Sequence, residues 1–149
     1  MRPCISNQPL TKHKGLDPKR LGVLISLSFF PYKVALQLQR HIQDDRIAGS
    51  RSNTLILLEH EPVLTLGQTT KDFHWKEQSE VINKQGIQII ESERGGSVTF
   101  HGPGQIVGYP ILLLREFCSG PKTYMRMLEE VIIAVLEEWG IKGRRIEKL

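Results

Sequence analysis

The sequence predicts an α/β (α+β) domain, a sandwich of helices against a mixed sheet. Three observations lead there. Short runs rich in Leu, Val and Ile recur along the first three quarters of the chain. Two longer segments repeat apolar residues at helical spacing, one early and one late. Clusters of Gly, Pro, Ser and Asn separate these segments, giving the order strand, helix, several strands, helix.

Residues 21–28, LGVLISLS, read as the first strand. Pro31 opens PYKVALQLQRHIQDDRI, where Ala35, Leu38 and Ile42 share one helix face. Proline suits a first turn because its missing N–H has no intrahelical partner to lose. AGSRSN (48–53) is a polar loop and TLILLEH (54–60) a short buried strand. EPVLTLGQ (61–68) is a second extended piece, with Pro62 at its start and Gly67 at its end. A short helix is expected near 79–85, stopped by Gly86, and a strand at IQIIESE (87–93). QIVGYPILLL (105–114) is another strand, in which Pro110 argues for an edge, a bulge or an early end to pairing. Pro121 begins the clearest helix. Tyr124, Met127, Leu128, Val131, Ile132, Val135, Leu136 and Trp139 form one apolar stripe, read as core, and Gly140 ends it. A further strand is expected from Ile141, and a sheet built this way is left with an unpaired edge.

A chain of 149 residues suits one domain and can bury a core without disulfides or metals. The net charge of +4 comes from 20 basic and 16 acidic residues spread along the chain, a solvated mixed surface. No basic stripe with interleaved aromatics points to nucleic acid. Cys4 and Cys118 form no C-x-x-C pair, which argues against zinc or a redox couple and fits a reducing compartment. No apolar run approaches the roughly 20 residues of a membrane helix. LGVLISLSFF (21–30) is too short to span, and no small-residue cleavage site follows it, which argues against a signal peptide. Residues 1–20 hold five Lys/Arg and one Asp. They read as a disordered extension or a misplaced start, with a transit peptide as the alternative.

The stretch ERGGSVTFHGPGQIVGYPI (93–111) has a composition that core packing does not require. Its glycines let backbone approach a ligand closely, and bends of this kind expose N–H groups to an anion or carbonyl. Arg94 can bind a carboxylate or phosphate, or pin the loop by bonding its carbonyls. If SVTFH is extended, Ser97, Thr99 and His101 share one face and Val98 and Phe100 the other. Gln105 adds an amide within reach. A plain hairpin or bulge, with His101 as a packed histidine, is the alternative. The spacing is neither G-x-G-x-x-G nor G-x-x-x-x-G-K-[ST], so the two standard nucleotide loops lack support. The residues by themselves reach a ligand-cradling loop in an α/β domain.

RGGSVTFHGPGQIVGYPI resembles the signature of the LipB-type octanoyltransferases, R-G-G-x-x-T-x-H-G-P-G-Q-x-x-x-Y-P-I, and matches each fixed position from Arg94 to Ile111. LEHEPVLTLGQ (58–68) is similar to that family's E-H-x-P-V-[FY]-T-x-G segment, and FFPYKVALQLQ resembles its first helix. The resemblance implies a fold of the biotin/lipoate protein ligase type over residues 21–149. It implies transfer of an octanoyl group from octanoyl-acyl carrier protein to a lysine of lipoyl domains, the first step of protein lipoylation. The acceptors would be 2-oxoacid dehydrogenase E2 subunits and glycine cleavage H protein, and the compartment a bacterial cytosol in preference to a mitochondrial matrix. Arg94, Gly95, Gly96, Ser97, Val98, Thr99, Phe100 and His101 correspond to the segment lining the acyl pocket. No metal or nucleotide is implied, because a thioester donor is already activated.

That family works through a cysteine thioester, with a lysine lowering the thiol's pKa. Both belong to motifs after the long helix, and RRIEKL resembles the residues just before them. Cys118, in REFCSGP, and Lys148, in IEKL, match neither position. The resemblance thus places the catalytic pair after Leu149. It makes 21–149 the N-terminal portion of the catalytic domain, with the C-terminal part missing and the chain alone inactive. The alternative is a shortened, non-catalytic relative that binds an acyl chain or a lipoyl domain.

Overall fold

Alternation of side chains sets the first sheet. Thr54, Ile56, Leu58 and His60 are buried along β2 (Thr54–His60), while the residues between them are half-buried or exposed. A strand puts every second side chain on the same face, so these four share one. β2 lies between β1 (Val23–Phe30), parallel to it, and β6 (Val107–Ile111), antiparallel. α1 (Tyr32–Ile47) covers that face. Ala35 and Ile42 meet Ile56 and Leu58, with Leu38, Val107, Tyr109 and Ile111 packed around them. Each fully buried aliphatic side chain stabilises by about 1.5–3 kcal/mol. Pro110 falls in β6, an edge strand of this sheet among the described residues.

The computed structural model describes residues 22–72 and 75–146. The extension expected at 1–20, Cys4 and Lys148 lie outside the described residues.

A second sheet has the order β4-β3-β5. β3 (Val63–Leu66) pairs in parallel with β4 (Gln88–Glu91) and antiparallel with β5 (Val98–His101). α2 (Ser79–Lys84) precedes β4, and Gly86 follows it at φ 72°. The strands are therefore divided between two three-stranded sheets, each mixed in direction.

The chain divides into two compact units, one running to Ile111 and the other starting at Leu112. The second holds α3 (Pro121–Glu138), and two expectations fail there. No residue of α3 is buried, and Val131, Ile132 and Val135 keep more than half of their surface exposed, at 60%, 59% and 52%. The stripe is therefore not core among the described residues. Periodicity identifies an apolar face without showing what covers it. Residues 141–146 also form no strand. Instead the N–H of Gly140 bonds the carbonyl of Glu137, and that of Ile141 bonds Leu136. This closes the helix with a reverse bend, Gly140 taking φ 72°.

Candidate functional site

Two sequence segments thirty residues apart build one structure. In the second sheet Val63 lies opposite His101 and Leu66 opposite Val98. Past the strand ends the backbones continue to pair. The N–H groups of Gly67, Gln68 and Thr69 donate to the carbonyls of Ser97, Arg94 and Gly96, each at 3.0 Å. Gly67 is required here, because a Cβ would lie 2.3 Å from the Gly96 oxygen. Gly96 itself sits at φ 80°. Glu59 accepts a hydrogen bond from the Gly104 N–H at 2.6 Å, which fixes the second bend to β2.

Arg94 fastens the loop from inside. Its Nε and Nη2 donate to Thr65 Oγ1 at 3.0 and 2.8 Å, and Nη2 also reaches the Thr65 and Ser97 carbonyls at 2.7 Å. Nη1 donates to the Gly95 carbonyl at 2.9 Å. Of the two roles open to this guanidinium, the pinning of carbonyls is the one these bonds serve.

The loop forms one wall of a cavity of about 360 Å³. Arg94 and His101 line it, with Tyr32, Leu36 and Gln39 from α1 and Val107 and Tyr109 from β6. That volume falls in the range of small-molecule pockets. A larger hollow of about 640 Å³, between Trp75, Ser79 and Ile89, holds none of the loop's residues. The chemistry-bearing side chains gather at the smaller one.

Four rings cluster at its polar end. His60 lies 5.2 Å from Tyr32, 5.7 Å from His101 and 5.9 Å from Tyr109, centroid to centroid, and Tyr32 stacks on His101 at 6.3 Å. His60 is fully buried. Its Nδ1 is 2.8 Å from the Phe30 carbonyl and its Nε2 2.7 Å from the Tyr109 hydroxyl. A carbonyl only accepts, so Nδ1 carries the proton. Burial lowers the His60 pKa below the usual 6.5, outweighing the Phe30 hydrogen bond, and His101 lowers it further. The neutral ring therefore offers Nε2 as an acceptor, and Tyr109 donates. Burial also pushes the Tyr109 phenol up to about 12, with Tyr32 adding to the effect and a hydrogen bond from Gln39 opposing it. Tyr109 thus keeps its proton, directed at His60.

His101 is held in the same manner. Its Nδ1 lies 2.6 Å from Gln105 Oε1, while Gln105 Nε2 donates to the Phe100 carbonyl at 3.3 Å. The second bond turns the Gln105 oxygen toward the ring, so Nδ1 is again the protonated nitrogen.

The family model for the lipoyl protein ligase A/B catalytic domain matches residues 31–148. The chain belongs to that family. Relatives include the octanoyltransferase of Koribacter versatilis, 42% identical over 128 residues, covering 85% of this chain and 51% of the relative. The octanoyltransferase of Rubrobacter xylanophilus is 41% identical over 135 residues, covering 90% and 58%. The chain spans about half the length of the curated relatives it matches. Among solved structures, a putative lipoate protein ligase from T. acidophilum with bound lipoic acid superposes with a TM-score of 0.57 at 19% identity, covering 85% of this chain and 52% of that one. A lipoate-protein ligase A bound with ATP gives 0.55 at 18%, covering 85% and 51%. These likenesses establish the lipoate protein ligase fold for the chain.

Within this family member the eight residues of RGGSVTFH take different places. Arg94 and His101 face the cavity. Gly96 and Ser97 carry the carbonyls that hold Thr69, Gly67 and Arg94, and the Gly95 carbonyl accepts from Arg94. Thr99 gives its carbonyl to Thr65 Oγ1 at 3.2 Å. Val98 and Phe100 are not among the lining residues, and Phe100 is 48% exposed. The apolar lining comes from Leu36 and Val107 instead. Cys118 is half-buried in the second unit, its thiol 3.4 Å from the Gly120 carbonyl and 3.8 Å from that of Leu114.

Sequence reasoning placed Glu59, His60 and Tyr109 in family motifs but gave none of them a role, and it did not single out Tyr32. A signal for His60 was present. Thr54, Ile56, Leu58 and His60 continue one alternation, so a buried strand face ends on a titratable ring.

Proposed function

We propose that this chain supplies the acyl-binding half of an octanoyltransferase site. The whole enzyme moves an octanoyl group from octanoyl-acyl carrier protein to a lysine of a lipoyl domain, as carried by 2-oxoacid dehydrogenase E2 subunits and glycine cleavage H protein. The observation that carries this reading is the cavity with the Arg94–His101 loop as one wall and Leu36 and Val107 as apolar lining. Curated relatives named octanoyltransferase support it at about 40% identity. A solved T. acidophilum structure described as a bi-partite lipoate protein ligase with its E2 lipoyl domain supports a lipoyl-domain acceptor. In this reading Arg94 holds the loop in shape, the pocket takes the aliphatic chain, and His101 stands at the thioester end. Cys118 is no nucleophile, and the transfer uses neither metal nor nucleotide because a thioester carries its own leaving group.

The test is titration of the chain with octanoyl-acyl carrier protein. Saturable binding is expected, weakened at least tenfold by Gly96→Val, with no octanoyl adduct by mass spectrometry. Absence of saturable binding overturns the reading. An octanoyl mass on Cys118 overturns the assignment of that residue.

A further inference from the structure

The polar end of the cavity has its protons fixed by residues behind it, and this predicts what it recognises. His60 Nε2 accepts a hydrogen bond from the Tyr109 hydroxyl at 2.7 Å, because its Nδ1–H is committed to the Phe30 carbonyl. The Tyr109 oxygen is left with lone pairs only, one engaged by Gln39. Gln105 Oε1, oriented by the bond of its amide nitrogen to the Phe100 carbonyl, accepts a hydrogen bond from His101 Nδ1–H at 2.6 Å. In the neutral ring the remaining nitrogen, Nε2, then carries a lone pair. Both side chains line the same cavity, and neither His60 nor Gln105 does.

From this geometry we infer that His60 and Gln105 are positioning residues that make this wall a pair of hydrogen-bond acceptors, and that the wall recognises an amide N–H of a pantetheine-type thioester. The inference rests on the reading above, since it presumes that the acyl chain occupies the apolar part. An acyl thioester has no N–H at its reacting end. A pantetheine arm has amide N–H groups a few bonds beyond the sulfur. An acceptor-bearing wall would thus distinguish a carrier-borne acyl group from a simple thioester of equal chain length. The discrimination is that of a half-buried acceptor left unpaired by the wrong ligand.

Three probes test this on the chain itself by calorimetric or NMR titration. They are S-octanoyl-N-acetylcysteamine, its N-methylated amide, and octanoyl ethyl thioester. The first is expected to bind about three- to tenfold more tightly than the other two, the loss of one neutral hydrogen bond. Gln105→Leu should shrink that ratio, and so should Gln105→Glu, because a carboxylate against Nδ1 favours the imidazolium, whose Nε2 donates instead of accepting. Tyr109→Phe should also shrink it; Gln105, an exposed residue, serves if that variant does not fold. The ¹⁵N shifts of His101 should show Nδ1–H in the wild type and a growing Nε2–H fraction in Gln105→Leu. Equal binding of the three probes overturns the inference and leaves the pocket reading standing. An Nε2–H wild-type ring, or a ratio unchanged in Gln105→Leu, overturns it as well. Failure of every octanoyl probe to bind overturns the pocket reading and this inference together.

Discussion

Loop 93–105 and helix α3 differ in where their partners are. The loop's backbone and its arginine are held by residues of the same unit. Thr65, Gly67, Gln68 and Thr69 engage it on one side and Glu59 on another. The helix carries an equally clear pattern, yet none of its residues is buried. Polar groups have direction and must be matched one to one, so a segment that satisfies them specifies its neighbours. An apolar stripe has no such direction, and its burial depends on whatever surface is brought to it.

The comparison can be broken most severely at Gly67. Gly67→Ala puts a methyl group into the Gly96 carbonyl, and the backbone has to separate. A loss of about 3 kcal/mol is expected in urea unfolding, with octanoyl binding abolished. A loss below 1 kcal/mol would show that the two segments are less tightly joined than their hydrogen bonds indicate. Arg94→Lys comes next. A single ammonium cannot span Thr65, Gly95 and Ser97, so about 2 kcal/mol should be lost, and wild-type stability would show the guanidinium to be dispensable to the loop.

Titration of His60 sharpens the comparison through pH. Its folded pKa lies below the ordinary 6.5. Between that lowered value and 6.5 the unfolded chain binds more protons, so stability is complete above about 6.5 and declines as pH falls through this window. His60→Gln should flatten the decline. An identical pH profile in the variant would remove His60 as its source.

The smallest effect is expected on the helix. Val131→Glu or Val135→Glu, on the exposed stripe, should change stability by no more than about 0.5 kcal/mol, measured by urea unfolding. A loss several times larger would mean that the face is covered in solution, and would erase the contrast between the two regions.

Much of this was written in the sequence. The strand at 54–60, the Pro31 and Pro121 helix starts and the Gly86 and Gly140 stops each rest on a local rule, and each lies within a residue or two of where it was expected. The match of RGGSVTFHGPGQ to its family was equally local. What lies between segments could not be read in this way. Glu59 and Gly104 are 45 residues apart, and His60 and Tyr109 are 49 apart. No periodicity links such positions. Only the closing of β2 against β6, and of β3 against β5, decided that the buried histidine stands behind the cavity wall. It also decided that Arg94 spends its donors on Thr65 and on its own loop, and that Leu36 and Val107, not Val98 and Phe100, supply the apolar lining. Local chemistry determines the elements, and the proton positions in the site follow from which elements the sheets bring together.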